Sequence, residues 1–473
     1  MSVRDPFDEA YAAGVPRPVA AARQATTAEA RRGTTGQVST RARPTATALA
    51  FGGVVITPDR VLPKGWVVVE DGVIKAVTAR KPSGVQALVT DGVILPGLID
   101  LHGHPEFNVF APWEPPKTFI NRGQWRGDPL YQQLVRDPWN RLTKAGTSAS
   151  VKKGMTRYAE VRAVVAGVTA IQGASKDYPN KAEALVRNVD LLIFGSQVAR
   201  STVDFDRLRP DDITSIERSI TAGTTKAHYI HLAEGQKSNQ ASINEFLRFT
   251  ESPLFGPVTV MIHGTALDRS HFGQVADVGG KLVWSPQSNL RLYNETTDIA
   301  AALDAKLPIA LGADWMPSGS PSLLHEMKVA ARFLAENRIE VSNQQLVEMV
   351  TSTSADIAGL GDKLGRLEAG RAADLVVLQR PLEDAYDSVV SAYPSSVELV
   401  MIAGDMIYGR ADWVRQLSTI EDYEVLIAWG REMALDTRFG SPEVALPSGP
   451  PRRLIDISRQ LIGRYPAIGP IFA

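Results

Sequence analysis

The chain has 473 residues, 44% hydrophobic and 22% charged, the balance of an ordinary folded protein of two or three domains. Its 51 basic and 52 acidic residues leave a net charge of −1, which supplies no basic surface for a nucleic-acid partner. With no cysteine, disulfides, thiolate metal sites and cysteine nucleophiles are excluded, and a metal must be held by His, Asp, Glu or a modified Lys.

The first 47 residues are rich in Ala, Arg and Thr, are punctuated by Pro6, Pro16, Pro18 and Pro44, and read as an N-terminal extension. Their acidic start, MSVRDPFDEA, has no apolar signal core, and no apolar run of about 18 residues follows, so a cytoplasmic protein without a membrane partner is expected. From Ala48 the pattern changes to short β-type runs, ALAFGGVVITP, WVVVEDGVIKAV and LVTDGVILP, with Asp71-Gly72 and Asp91-Gly92 as turn signals. Three strands cannot cover both their faces. Residues 364–379 and 397–408 repeat the same style far downstream, so 48–96 and 361–410 are expected to build one small β-sandwich domain.

Between them, residues 97–360 alternate strand-like and helical segments. The strand candidates are Leu98–Leu101, 167–173, 189–195, 227–233, 258–264, 281–286 and 307–313. This alternation predicts an α/β fold, a β/α barrel of TIM type, with its active site at the C-terminal ends of the strands. Seven strands are visible, so the eighth should lie between 173 and 226. Residues 105–145, with Trp113, Trp125, Tyr131 and Trp139, form a long loop at that active face. Residues 411–473 read as a helical C-terminal extension.

The chemistry gathers at strand ends. Of seven histidines, five fall on strand candidates. His102 and His104 stand at i and i+2, so on a strand they face the same side. His228 and His231 differ by an odd number, so only one can face the pocket. His231, at the strand end, is the better ligand, and His228 is expected to pack outside. Glu234, three residues further, can pass protons at a metal-bound water. His263 ends the next strand and can ligate a metal or polarise water. Asp314 ends the last, where it can bind metal, act as a base or cap a turn. His271 and His325 fall on helical segments and read as structural. Three His and one Asp suit a single divalent ion, zinc by default, with ferrous iron also compatible.

PGLIDLHGH (96–104), AGVTAIQG (166–173), HYIHLAEG (228–235), VMIHGTAL (260–267), WSPQSNLRLY (284–293), LGADWMPSGS (311–320) and GRLEAGRAADLVVL (365–378) together resemble the amidohydrolase superfamily over about residues 48–408. The resemblance implies a distorted β/α barrel with a β-sandwich built from both chain ends. The HxH, HxxE, His and Asp set is similar to the mononuclear branch that contains cytosine, guanine and triazine aminohydrolases. Carried over, His102, His104, His231 and Asp314 hold the metal, Glu234 shuttles a proton and His263 orients the attacking water, with Asp314 or His263 taking its proton. The binuclear branch uses a carboxylated lysine, for which Lys176 is the nearest residue, in a loop-like setting. Asn108, Trp113, Arg122, Trp125 and Trp315 would line the pocket of a small-molecule substrate. The implied activity is deamination of a small cyclic or heteroaromatic compound. Opening of a cyclic amide, urea or imidazolone ring is the alternative, and a non-catalytic scaffold, which would have lost ligands, the remote one. A homo-oligomer follows by analogy alone.

Overall fold

The computed structural model describes residues 48–143, 147, 149–173, 184–191, 193–418, 423–437 and 453–472. The expected extension over 1–47 and Lys176 lie outside the described residues.

Alternating Val, Ile and Leu carry the N-terminal strands β1 (Leu49–Ile56), β2 (Val61–Glu70), β3 (Val73–Thr78) and β4 (Gln86–Pro96). Asp71-Gly72 makes the turn between β2 and β3, with both residues at positive φ. Asp91-Gly92 is not a turn. It lies inside β4, where a Cβ on Gly92 would stand 2.4 Å from the Leu378 carbonyl oxygen. The backbone crowding, and not a bend, calls for glycine there.

The barrel strands follow in chain order: β5 (Leu98–Asp100), β6 (Val168–Ile171), β7 (Arg187–Asn188), β8 (Ala199–Thr202), β9 (Ala227–Leu232), β10 (Thr259–His263), β11 (Lys281–Trp284) and β12 (Ile309–Leu311). They pair in parallel as two arcs, β5-β6-β7 and β8 to β12, which is the distortion of the barrel. Small and branched side chains from both arcs fill its interior: Ile99, Ala170, Ala199, Tyr229, Val260, Val283 and Ala310 form one buried cluster. One strand expectation is corrected and another is met. The strand placed at 189–195 is β7, two residues earlier and much shorter, and 189–191 and 193–195 form bends and turns. The missing strand is β8, inside the interval where one was expected.

The chain then returns to the first sheet through β13 (Leu375–Leu378), β14 (Val397–Ile402), β15 (Asp405–Arg410), β16 (Glu424–Ala428) and β17 (Arg431–Leu435). The sheet runs β16-β17-β15-β14-β13-β4-β1-β2-β3. Its centre is the antiparallel β4–β13 pairing of the two chain ends, Ile94 opposite Val377. Residues 411–473 are therefore not simply helical. They hold the helices Ala411–Leu417 and Leu454–Arg464, but also β16 and β17, which extend the sheet. Strand alternation divides the sheet's faces. Ile94, Leu375, Val377, Leu399 and Met401 enter the domain's own core, while Val93, Leu95, Val376 and Leu378 join the large core around the barrel. Among the described residues, no helix is long and apolar enough to cross a membrane.

Candidate active site

Pro96 and Gly97 are where the sheet passes into the barrel. A Cβ on Gly97 would lie 2.2 Å from Thr169 Oγ1 of β6, so only glycine fits. β5 then lasts three residues and stops at Asp100, short of the histidines. His102 and His104 thus converge without strand periodicity. The Asp100 carboxylate accepts the backbone N–H groups of His102 (3.2 Å) and Ala313 (3.1 Å), and Asp314 N donates to His102 O at 2.8 Å. These bonds stitch the end of β5 to the end of β12. Gly312 allows the approach, since a Cβ there would meet His102 Cβ at 2.4 Å.

Three strands of the second arc present the remaining groups. In β9, Tyr229 faces the interior, and His231, two residues on, does the same. In β10, Val260 and Ile262 face inward, so alternation would send His263 outward. A left-handed φ of 70° at His263 breaks the alternation and turns the ring in. Asp314 likewise has φ 60° just past β12. Strained backbone of this kind persists where the surrounding structure holds it.

The result is a buried cluster. The ring of His102 lies 5.2 Å from His104, 4.8 Å from His231 and 4.9 Å from His263, centroid to centroid. Asp314 Oδ1 is 3.0 Å from His102 Nε2 and 3.6 Å from His104 Nε2. One ligand atom each from His102, His104 and His231 falls within 4.8 Å of the others, and the same holds for His102, His263 and Asp314. Both ring nitrogens of His231 and Nδ1 of His102 are buried without a hydrogen-bond partner, and His102 Nε2 meets the Asp314 carboxylate. Orphaned imidazole nitrogens facing one another and a carboxylate are the donor set of a divalent metal, so these residues fit such an ion.

Burial sets the protonation of these groups. It pushes His104 and His263 down to about 4 and His231 well below the ordinary histidine value, leaving neutral imidazoles. For His102 burial acts the same way, but the Asp314 carboxylate overrides it and raises the value. Burial would raise Asp314, and the facing histidines, His102 first, hold it far below the usual range. For His104, His231 and Asp314, these are the states a metal requires of its ligands, and at His102 a metal would displace the proton that Asp314 favours.

Glu234 follows β9 in a loop and is 5% exposed. Burial would raise it, yet His263 and Arg122 on either side and a hydrogen bond from Tyr293 lower it. Its Oε2 is 3.8 Å from His263 Nε2. His263 Nδ1 faces the Asn289 amide at 3.0 Å, and Asn289 Oδ1 accepts from Thr296 Oγ1 at 3.3 Å. That bond places the amide nitrogen toward His263, which makes Nδ1 an acceptor and leaves the ring proton on Nε2, directed at Glu234 and the cluster.

The five residues expected to line the pocket lie in or beside the same region, most with partners of their own. Trp113, Trp125 and Trp315 pack with Phe119, Tyr131 and Tyr293 in one aromatic cluster. Trp315 stands 6.2 Å from His104. Arg122 pairs with Glu245 at 2.7 Å and with Glu234 at 3.8 Å. Asn108 Oδ1 accepts from Met316 N at 2.9 Å, securing the loop after Asp314. His228 packs outside the strand, 3.0 Å from Thr202 Oγ1, as its parity requires. Asp100, Ser288, Asn289 and Tyr293 were not singled out from the sequence. For Asp100 the signal was a lone carboxylate in an apolar run. For the other three it was the polar helix entry in PQSNLRLY, directly after a barrel strand.

Residues 224–407 match the Amidohydrolase family. A 5-methylthioadenosine/S-adenosylhomocysteine deaminase of Syntrophomonas wolfei is 24% identical over 79% of this chain and 94% of its own. Among solved structures, a zinc-bound adenosine deaminase of Xanthomonas campestris superposes with TM-score 0.62 at 16% identity, over 88% of this chain and 98% of its own. Guanine deaminase of E. coli gives 0.61 at 15% identity, over 77% and 100%. Together with the family match and the deaminase relatives, the barrel and its histidine–aspartate cluster are those of a metal-dependent hydrolase acting on C–N bonds. Along most of its length the chain is similar to deaminases of this kind, and residues 224–407 carry the Amidohydrolase family match.

Proposed function

We propose that the chain is a mononuclear aminohydrolase that removes an amino group from a small heteroaromatic substrate. The observation that carries this is the meeting of two sets of groups in one buried site. The unpartnered His231 nitrogens converge with His102, His104 and Asp314 as a metal-ligand set, and Glu234 stands 3.8 Å from His263 beside it. His102, His104, His231 and Asp314 would hold the ion, zinc by preference, the metal of one structural neighbour, with ferrous iron as the other fit. The ion supplies Lewis acidity and lowers the pKa of a bound water to about 7.

The chain's own groups do the rest. Ser288 Oγ donates to Asp314 Oδ2 at 2.5 Å, while Oδ1 faces His102 and His104, so Oδ1 is the oxygen on the cluster side that would take a proton from the attacking water. His263, neutral with its proton on Nε2, donates to the oxygen that develops charge on the attacked carbon. Glu234 carries a proton to the ring nitrogen or the departing amine. The relatives' names, which specify deaminases of methylthioadenosine or S-adenosylhomocysteine, adenosine and guanine, support an amino-substituted purine-type ring. Trp315 beside His104 offers such a ring an aromatic wall. We take residues 97–360 as the catalytic unit, buttressed by the sheet domain.

The test is ammonia release by metal-loaded protein on amino-purines, amino-pyrimidines and amino-triazines, set beside lactams and hydantoins. Ammonia formed in step with loss of the amino compound is the expected result. Ring opening of a lactam or hydantoin without ammonia from any amino compound would replace this reading with cyclic-amide hydrolysis.

A further inference from the structure

One helix, Pro286–Tyr293, addresses three groups of the site at once. Ser288 donates to Asp314, Asn289 faces His263, and at the last helical position the Tyr293 hydroxyl donates to Glu234 Oε1 at 2.6 Å. Tyr293 is fully buried, and its oxygen receives the Trp125 indole N–H at 2.8 Å.

The direction of this chain of bonds is forced. An indole N–H can only donate, so the tyrosine oxygen is the acceptor of that bond. The hydroxyl has a single proton, which must then point to Glu234. Glu234 Oε1 is therefore an acceptor, which makes it the less basic of the two oxygens. Its other oxygen, Oε2, lies 3.8 Å from His263 Nε2 and 3.8 Å from Arg122 Nη1, and Arg122 is itself anchored on Glu245 at 2.7 Å. Trp125 and Arg122 both come from the segment after β5. That segment is docked against the Glu234 loop: Arg122 N donates to Glu234 O at 3.3 Å and Gln236 N to Ile120 O at 2.8 Å.

We propose that Tyr293, oriented by Trp125, is a positioning residue that reserves one oxygen of Glu234 so that the proton travels only on Oε2, the oxygen facing His263. This rests on Glu234 being the proton shuttle of the proposed function. The proton enters and leaves the same oxygen, and neither tyrosine nor tryptophan changes protonation.

The experiment is Tyr293→Phe, which removes the hydroxyl and keeps the ring, with kcat and KM measured on the amino compound that the ammonia screen identifies. The expected result is a fall in kcat of about ten- to a hundredfold, with KM, metal content and thermal midpoint near wild type and a displaced acid limb in the kcat–pH profile. In a Glu234→Gln background the same substitution should cost almost nothing further. Trp125→Phe, which leaves Tyr293 in place without its donor, should show a weaker form of the same change. Without substrate, the Glu234 carboxylate band, isolated as the infrared difference between wild type and Glu234→Gln, should shift in Tyr293→Phe. An unchanged kcat and band, or a loss that appears as a KM rise or as lost metal, overturns the proposal. Full activity in Glu234→Gln would instead overturn the proposed function.

Discussion

Glu326 is a carboxyl group sealed in the wall behind the site. It is fully buried on the helix Leu323–Glu336, takes the Gln287 N–H on Oε1 at 3.0 Å and has no partner for Oε2. Burial pushes it from 4.5 to about 8, so the native protein keeps it protonated at neutral pH. The unfolded chain releases that proton near pH 4.5, and the native state holds it to about 8. Between those values the native state binds more protons than the unfolded one, so this group makes unfolding easier as pH rises, by about 1.4 kcal/mol per unit. Glu326→Gln removes the slope. Denaturation of both proteins from about pH 5 to 8 should show the variant gaining stability relative to wild type as pH rises, and parallel curves would contradict the assignment. The site's own residues were partly readable one by one. Strand parity set His231 and His228 on opposite sides, and the strand-end position picked His231. His263 was not, because a left-handed φ overrules parity and leaves no mark in the residue type. Tyr293 belongs to a helix whose C-terminal end meets Glu234 only after the barrel closes.

Among the elements, those with long apolar runs were legible and those made by neighbours were not. β9, AHYIHL, and β10, TVMIH, are fully buried and announce themselves. β7 is two residues, Arg187 and Asn188, with no apolar content. It exists because β6 offers an edge, with Ala170 opposite Arg187, and no pattern in the sequence encodes that. The apolar run just after it, VDLLIFG, was the more persuasive strand, yet it turns into the barrel interior with Val189 and Ile193. β16 and β17 were missed for the converse reason. They are short, and β17 draws its strand character from pairing with β15, Tyr408 opposite Leu435. The long aromatic segment after β5 read as a loop, but residues 122–143 are largely helical, and its docking on the Glu234 loop depends on backbone bonds such as Gln236 N to Ile120 O.

At the scale of the whole molecule, two cores are joined by a buried ion pair. Arg187 of β7 and Asp374, just before β13, meet at 2.7 Å with side chains only 2% and 3% exposed. Asp374 also accepts the Ala403 N–H at 2.8 Å, so one carboxylate ties the barrel to both ends of a sheet hairpin. Asp374→Ala leaves the Arg187 guanidinium buried without its carboxylate, which costs about 3–5 kcal/mol. Urea denaturation should show that loss, and a change below about 1 kcal/mol would mean that the pair does not join the two units. The architecture itself was readable because the two ends of the chain share one strand style and neither can cover its own faces. The cluster was readable because its proposed ligands sit at or just past strand ends, where an apolar run stops at His or Asp. The account stands on those ligands. Elemental analysis of purified wild type and of His102→Ala/His104→Ala tests them most directly. About one divalent ion per chain in the wild type and almost none in the double variant is the predicted result. Equal metal in the two proteins would contradict it.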